Sequence, residues 1–298
     1  MTVQSMIICL ALTLTGVITG VEKASAGTIL GTAEHFAVLG AASVVNTGST
    51  TVYGDLGVSP GNSITGAGSI TLTGTTHNAD GTAQQARIDA TTASVILAAL
   101  SPTSNLTGQD LGGLSLGSGV YFFSSSAQLT GTLTIDFAGV ANRDVVFQIG
   151  SALTTASGSN VIVQNGSATN GVFFQIGTSA TLGTGTTFAG NIVADDSVTL
   201  NTGSRILCGR ALALNGSVTM GTNTISNNCF GVGDLGSGIS DYSSVGLSGG
   251  DFTSLGYTAG GFDGLPSGAT SIPEPATVAL VGLGFVWVLR RGTGHGVG

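Results

Sequence analysis

Between Ser151 and Thr224, apolar side chains alternate with Ser and Thr in short runs broken by Gly or Asn. Ser179-Ala-Thr-Leu-Gly-Thr-Gly-Thr-Thr-Phe is followed by Ser197-Val-Thr-Leu-Asn-Thr-Gly-Ser-Arg-Ile and by Ser217-Val-Thr-Met-Gly-Thr-Asn-Thr-Ile, with starts eighteen and twenty residues apart. Each unit joins a β-branched strand, a Gly or Asn turn and a second apolar strand such as Asn191-Ile-Val-Ala. That period predicts a β-solenoid. A weaker copy begins at Ser151-Ala-Leu-Thr-Thr-Ala-Ser, and the lead-ins Val145-Val-Phe-Gln-Ile-Gly-Ser and Val172-Phe-Phe-Gln-Ile-Gly-Thr are nearly identical, so the repeat reaches back to about residue 145. A rung can bury one side of its strands only when another rung stacks on it. Leu, Ile, Val and Phe are therefore expected inward, and Thr, Ser and Gly outward.

Upstream, Phe36-Ala-Val-Leu, Ser43-Val-Val, Thr50-Thr-Val-Tyr and Ser69-Ile-Thr-Leu read as further rungs punctuated by Gly and Asn. One helix is predicted from about Gly81 to Leu100, with Asp80 as N-cap and Pro102 just past its end. Ile88, Thr92, Val95, Ile96 and Ala99 make a stripe at helical spacing, expected to pack along a flank of the solenoid. Strands resume at Gly119-Val-Tyr-Phe-Phe and Gly131-Thr-Leu-Thr-Ile-Asp-Phe.

The two ends of the chain have a different character. Residues 1–26 read as a secretory signal, with an apolar run from Met6 to Val17 and Ala24-Ser-Ala26 as the cleavage site. The solenoid is expected over 27–230, followed by a Gly- and Ser-rich linker over 231–271. Residues 272–298 hold Pro273, Glu274 and Pro275, an apolar run from Ala276 to Leu289, and Arg290 and Arg291. That order resembles the PEP-CTERM sorting signal of Gram-negative bacteria, which implies processing by an exosortase-type enzyme and delivery to the cell surface or extracellular matrix. The run is short for a stable span, and its basic end would stay cytoplasmic, so a transient inner-membrane association is expected.

Charged residues are only 7% of the chain, against roughly a quarter in an average soluble domain. Between 27 and 271 the only Lys or Arg residues are Arg87, Arg143, Arg205 and Arg210. Phosphate contacts need clustered basic groups, so nucleic acid is excluded as a partner. The sequence holds no HExxH, Walker loop or zinc-type Cys spacing, and no cofactor, metal or catalytic residue is predicted. A polysaccharide-cleaving solenoid would have to use Asp195 and Asp196, but adjacent strand residues point to opposite faces, and a turn is their expected place. Cys208 and Cys229, the cysteines left once the leader removes Cys9, read as a disulfide in an exported protein, with two buried thiols as the alternative.

The outward Thr residues carry the functional signal. Thr47-Gly-Ser-Thr50, Thr73-Gly-Thr-Thr76 and Thr184-Gly-Thr-Thr187 share one pattern, and Thr155 and Thr202 open the same pattern with Gly158 and Arg205 at its fourth place. Stacked rungs would set such residues about 4.7–4.9 Å apart. At that spacing the methyl groups restrict water and the hydroxyls anchor it. Phe36-Ala-Val-Leu-Gly, Val45-Asn-Thr-Gly, Gly54-Asp-Leu-Gly-Val-Ser-Pro-Gly61, Leu111-Gly-Gly-Leu, Phe147-Gln-Ile-Gly-Ser, Leu182-Gly-Thr-Gly-Thr-Thr-Phe-Ala-Gly-Asn-Ile192 and Gly209-Arg-Ala-Leu-Ala together resemble the bacterial and fungal ice-binding protein family. The resemblance implies a mainly β fold: a discontinuous right-handed parallel β-helix with one long helix alongside, its first segment inserted beside its last. It also implies adsorption to an ice crystal surface, without catalysis, through a flat face. The residues expected there are Thr47, Thr50, Thr73, Thr76, Thr155, Thr184, Thr187 and Thr202. The alternative is a matrix or adhesion module that binds extracellular polysaccharide.

Overall fold

The computed structural model describes residues 29–227 apart from Ala168, with the backbone of two short strands at Tyr242–Ser243 and Gly246–Leu247. The signal and sorting segments and Cys229 lie outside the described residues.

Parallel strands stack into three faces, as the repeat demands. The Ser/Thr face runs, in spatial order, through Ala127–Leu129, Leu153–Thr155, Ala180–Leu182, Val198–Leu200, Ser217–Met220, Ser43–Asn46 and Ser63–Thr65. The other two faces share one sheet, because Thr187–Ala194 and Arg205–Ala213 are long strands that turn a corner. The turn falls at Gly190 and Cys208, both at positive φ, with a register shift between Ala189 and Asn191. Cys208 is disulfide-bonded.

The order is discontinuous, as the resemblance implied. Ser43–Asn46 lies beside Ser217–Met220, Phe36–Gly40 beside Arg205–Ala213, and Thr50–Tyr53 beside Thr224–Ser226. Arg210 helps to lock this junction, since its buried guanidinium donates to the Glu34 carbonyl at 2.9 and 2.6 Å and to Asn191 Oδ1 at 2.6 Å. Burial lowers its pKa to about 10, against a partial counter-effect of Glu34, so the cation persists at neutral pH.

Inside the coil, Leu153, Val161, Leu182, Val198, Ile206 and Val218 meet in one core. Tyr121, Phe147, Phe174 and Phe188 form an aromatic column on successive rungs, with ring centroids 5.5, 4.5 and 4.7 Å apart. A column of this kind contributes beyond its buried area and fixes the rungs in register.

Among the described residues the single long helix, α1 (Gly81–Ala98), begins where Asp80 accepts the Ala83 N–H at 2.9 Å. It ends where Gln148 Nε2 donates to the Leu97 and Leu100 carbonyls, both at 2.8 Å. Its eighteen residues span about 27 Å. The seven helix-face rungs from Thr76–Asn78 to Asp144–Ile149 span about 29 Å, so the helix is cut to the stack.

The expected packing stripe is corrected here. Ile88, Val95 and Ile96 are 45%, 66% and 47% exposed, and the buried side is Ala83, Ala86, Ala90, Ala93, Ser94 and Leu97. The bulk in this layer comes from the sheet, as Phe36, Leu39, Val146, Phe173, Val193 and Leu212. Only small helix residues let the backbone approach such a surface.

Candidate functional site

The Ser/Thr face is built from strands with one inward–outward–inward cycle, for example Leu153–Thr155, Ala180–Leu182 and Val198–Leu200. The outward residue of each strand stands opposite that of the next: Gln128, Thr154, Thr181, Thr199, Thr219, Val45 and Thr65. This is a row of five Thr, interrupted by Val45 and ended by Gln128. Among the described residues, the hydroxyls of Thr154, Thr181, Thr199, Thr219 and Thr65 have no hydrogen-bond partner.

Two residues earlier in each strand runs a parallel row of Ser126, Ala152, Ser179, Ser197, Ser217, Ser43 and Ser63, about 6.6 Å from the first along the strand. The hydroxyls of Ser126, Ser179, Ser197, Ser217 and Ser43 are engaged within the stack. Ser43 and Ser217 Oγ are 2.8 Å apart, and Ser197 Oγ accepts the Ser217 N–H at 3.2 Å. On the other side, three residues after the first row, Ser157, Thr184, Thr202 and Thr222 line the corner turn, where Gly185 N–H donates to Thr202 O and Gly203 N–H to Thr222 O. The three rows carry no charge.

One carboxylate closes the end of this face. Asp110 pairs by an isolated bridge with Gln128, and its Oδ1 accepts the Gly112 N–H at 2.7 Å and the Thr130 N–H at 2.8 Å. Burial pushes its pKa up, but these donors outweigh burial and hold it below the ordinary carboxyl value.

The eight Thr residues singled out by the sequence do not form one surface. Thr184 and Thr202 are exposed in the corner row, and Thr47 is exposed in the same corner, with Oγ1 donating to Met220 O at 3.2 Å. Thr50 is 1% exposed and donates to Asn46 Oδ1 at 2.7 Å. Thr155 is 3% exposed, with its hydroxyl 2.8 Å from that of Thr186. Both belong to a buried polar ladder beneath the corner that also holds Ser159, Ser204 and Asn223. Thr187 is buried on the third face, opposite Arg205. Thr73 and Thr76 are exposed but sit away from the Ser/Thr face, Thr73 accepting the Gly54 N–H at 3.2 Å and Thr76 opposite Leu56.

The third face offers a rival row: Thr132, Asn160, Thr187, Arg205, Thr224, Thr51 and Thr71. A guanidinium at its middle makes it a poorer match to an uncharged lattice. Asp195 and Asp196 occupy a turn, as expected. Asp195 accepts from Asn215 Nδ2 at 2.8 Å on its carbonyl, and Asp196 Oδ1 accepts from Ser197 Oγ at 3.3 Å. Among the described residues no group of three or more His, Cys, Asp or Glu is arranged to hold a metal.

The family model described as Ice-binding-like matches residues 38–226, from within the Phe36–Gly40 strand to the end of Thr224–Ser226. The chain belongs to that family. An ice-binding protein of Nostoc sp. (strain HG1) is 54% identical over 208 residues, covering 70% of this chain and 77% of that one. An ice-binding protein of Leucosporidium sp. (strain AY30) is 31% identical over 205 residues, covering 62% of this chain and 77% of that one. The crystal structure of an ice-binding protein from the Antarctic ascomycete Antarctomyces psychrotrophicus is similar with a TM-score of 0.64 and 40% identity, over 67% of this chain and 97% of that one. At the other end, the PEP-CTERM protein-sorting motif matches residues 271–291.

The signal for the unpartnered row was present in the sequence. Thr181, Thr199 and Thr219 are the third residues of the three repeats that begin at Ser179, Ser197 and Ser217. A strict period of two from the buried Leu, Val and Met positions places them outward.

Proposed function

We propose that this protein adsorbs to ice through its Ser/Thr face, with the row Thr154, Thr181, Thr199 and Thr219 at the centre and Thr184, Thr202 and Thr222 along its edge. The observation that carries this reading is the row of unpartnered hydroxyls in parallel register. Each Thr offers a methyl group that confines neighbouring water and a hydroxyl that can enter its hydrogen-bond network. Rungs about 4.7–4.9 Å apart repeat that pair without a charge that would order water around itself. The face is prebuilt, so adsorption does not have to order side chains, which are already restricted at χ1 in β-branched residues. The names of the relatives support ice as the ligand. The sorting motif supports export, exosortase processing and display at the surface of a Gram-negative cell.

Ice crystals grown in the presence of the purified exported chain test this reading. Faceted crystals and suppressed recrystallisation are expected, and round crystals that coarsen as in buffer from a folded sample would refute it.

A further inference from the structure

The corner of the Ser/Thr face shortens at one rung. Leu200 stands opposite Met220 and Arg205 opposite Thr224, so the four-residue turn 201–204 lies on the three-residue turn 221–223. On the other side Met220 stands opposite Asn46 and Thr224 opposite Thr51, which sets the four residues 47–50 on the same three. The missing residue merges two roles. In the turns 183–186 and 201–204 the exposed Thr184 and Thr202 are followed by Gly185 and Gly203 at φ +67° and +72°. In the short turn Thr222 is itself the exposed residue and itself takes φ +58°.

A β-branched side chain in that region is an outlier, which persists only where its surroundings impose it. Asn223, 3% exposed, does so. Its Oδ1 accepts the Gly221 N–H and its own N–H donates to Thr50 Oγ1 at 3.1 Å, so the N–H groups on either side of Thr222 are both tied. Its Nδ2 donates to the Asn201 and Ser204 carbonyls, both at 2.9 Å, and to Ser204 Oγ at 3.0 Å. The short turn is thereby clamped to the long one. In the next rung Gly48 leaves room for Thr222, since a Cβ there would collide with Thr222 Oγ1.

We propose, resting on the ice-binding reading of the Ser/Thr face, that Asn223 is a positioning residue that holds Thr222 in the left-handed conformation so that the row Thr184, Thr202 continues across the shortened corner. Glycine at 222 would relax the backbone and end the row.

Thr222→Gly in the full chain separates this role from a merely structural one. Its thermal midpoint is expected at or above the parent's, because relief of the left-handed conformation offsets the flexibility of glycine. Inhibition of ice recrystallisation is expected to need at least about threefold more protein. Asn223→Ala, assayed where circular dichroism shows it folded, is expected to lose potency too, with Asn223→Ser in its place if the alanine variant does not fold. The double variant is expected to be no weaker than the weaker single variant, since Asn223 acts through Thr222. Parent potency in either single variant, or losses that multiply in the double variant, would overturn the proposal. Thr199→Tyr in the same assay separates the failures: lost activity there, with parent potency in Thr222→Gly, leaves the face standing and removes this role alone. A folded parent chain without ice activity would overturn both.

Discussion

Thr154 and Thr155 are neighbours in one strand and have opposite fates. The Thr154 side chain is exposed and stands opposite Thr181 in the outward row, and the Thr155 hydroxyl lies 2.8 Å from that of Thr186 in the interior while also accepting the Gly183 N–H at 2.8 Å. Replacing Thr155 by Val leaves those two buried groups short of a partner and is expected to cost about 1–3 kcal/mol. Thr154→Val is expected to stay within about 0.5 kcal/mol of the parent. Chemical denaturation of the two variants measures the difference.

Val45 is the one apolar interruption in the Thr row, opposite Thr219 on one side and Thr65 on the other. Val45→Thr keeps the branched shape and joins Thr65 to the row. It is expected to leave stability within about 0.5 kcal/mol and to strengthen inhibition of ice recrystallisation at equal protein concentration. Weakened inhibition from the folded variant would contradict the role of the row.

The alanine stripe of α1 makes a packing prediction. Ala86 and Ala90 are fully buried against a layer that includes Phe36, Phe173 and Leu212. Ala90→Leu is expected to destabilise by about 1–3 kcal/mol through overpacking. Val95→Lys, on the outer side, is expected to change stability by less than about 0.5 kcal/mol. Thermal unfolding of both variants distinguishes this orientation from the one suggested by the large apolar residues.

That contrast shows what the sequence made legible. The existence and limits of α1 followed from Asp80 and Pro102, because caps and breakers act locally. Its orientation did not, because the reading gave weight to Ile88 and Val95, and the partner surface that selects Ala over Ile is assembled from residues as distant as Phe173 and Leu212. The solenoid itself was legible in the eighteen- and twenty-residue spacing of the Ser starts. The candidate face was half legible: the Thr-x-x-Thr pattern picked out Thr184 in the corner row, and Thr202, which opens the same pattern, lies in that row too. The pattern also took in Thr50 and Thr187, where the turn delivers the fourth residue to the interior or to the third face.

Acid should loosen the structure at named points. Asp89 is raised by burial, but donors from Thr32 and Gln85 outweigh this, and Asp110 behaves likewise with Gly112 and Thr130, so both lie below the ordinary value of 3.8. Asp80 is lowered by the Ala83 N–H and by His77. A carboxyl whose folded pKa is depressed contributes stability that is fully present above its unfolded value and is lost as pH falls through the folded value. Unfolding followed from pH 7 downward is expected to show constant contributions from these groups to about pH 5 and a decline below about pH 4. In Asp110→Asn that decline is expected to be shallower.

The most direct test of the ice-binding face compares Thr199→Tyr with Thr51→Tyr in one ice-growth assay. Thr199 lies in the middle of the Ser/Thr face, and Thr51 occupies an outward position on the third face, opposite Thr224. Both substitutions put a ring on an outward strand position, and both variants are expected to fold. Loss of crystal shaping and of recrystallisation inhibition in Thr199→Tyr, with parent behaviour in Thr51→Tyr, is the predicted result. Full activity in Thr199→Tyr, or loss in Thr51→Tyr alone, would contradict it.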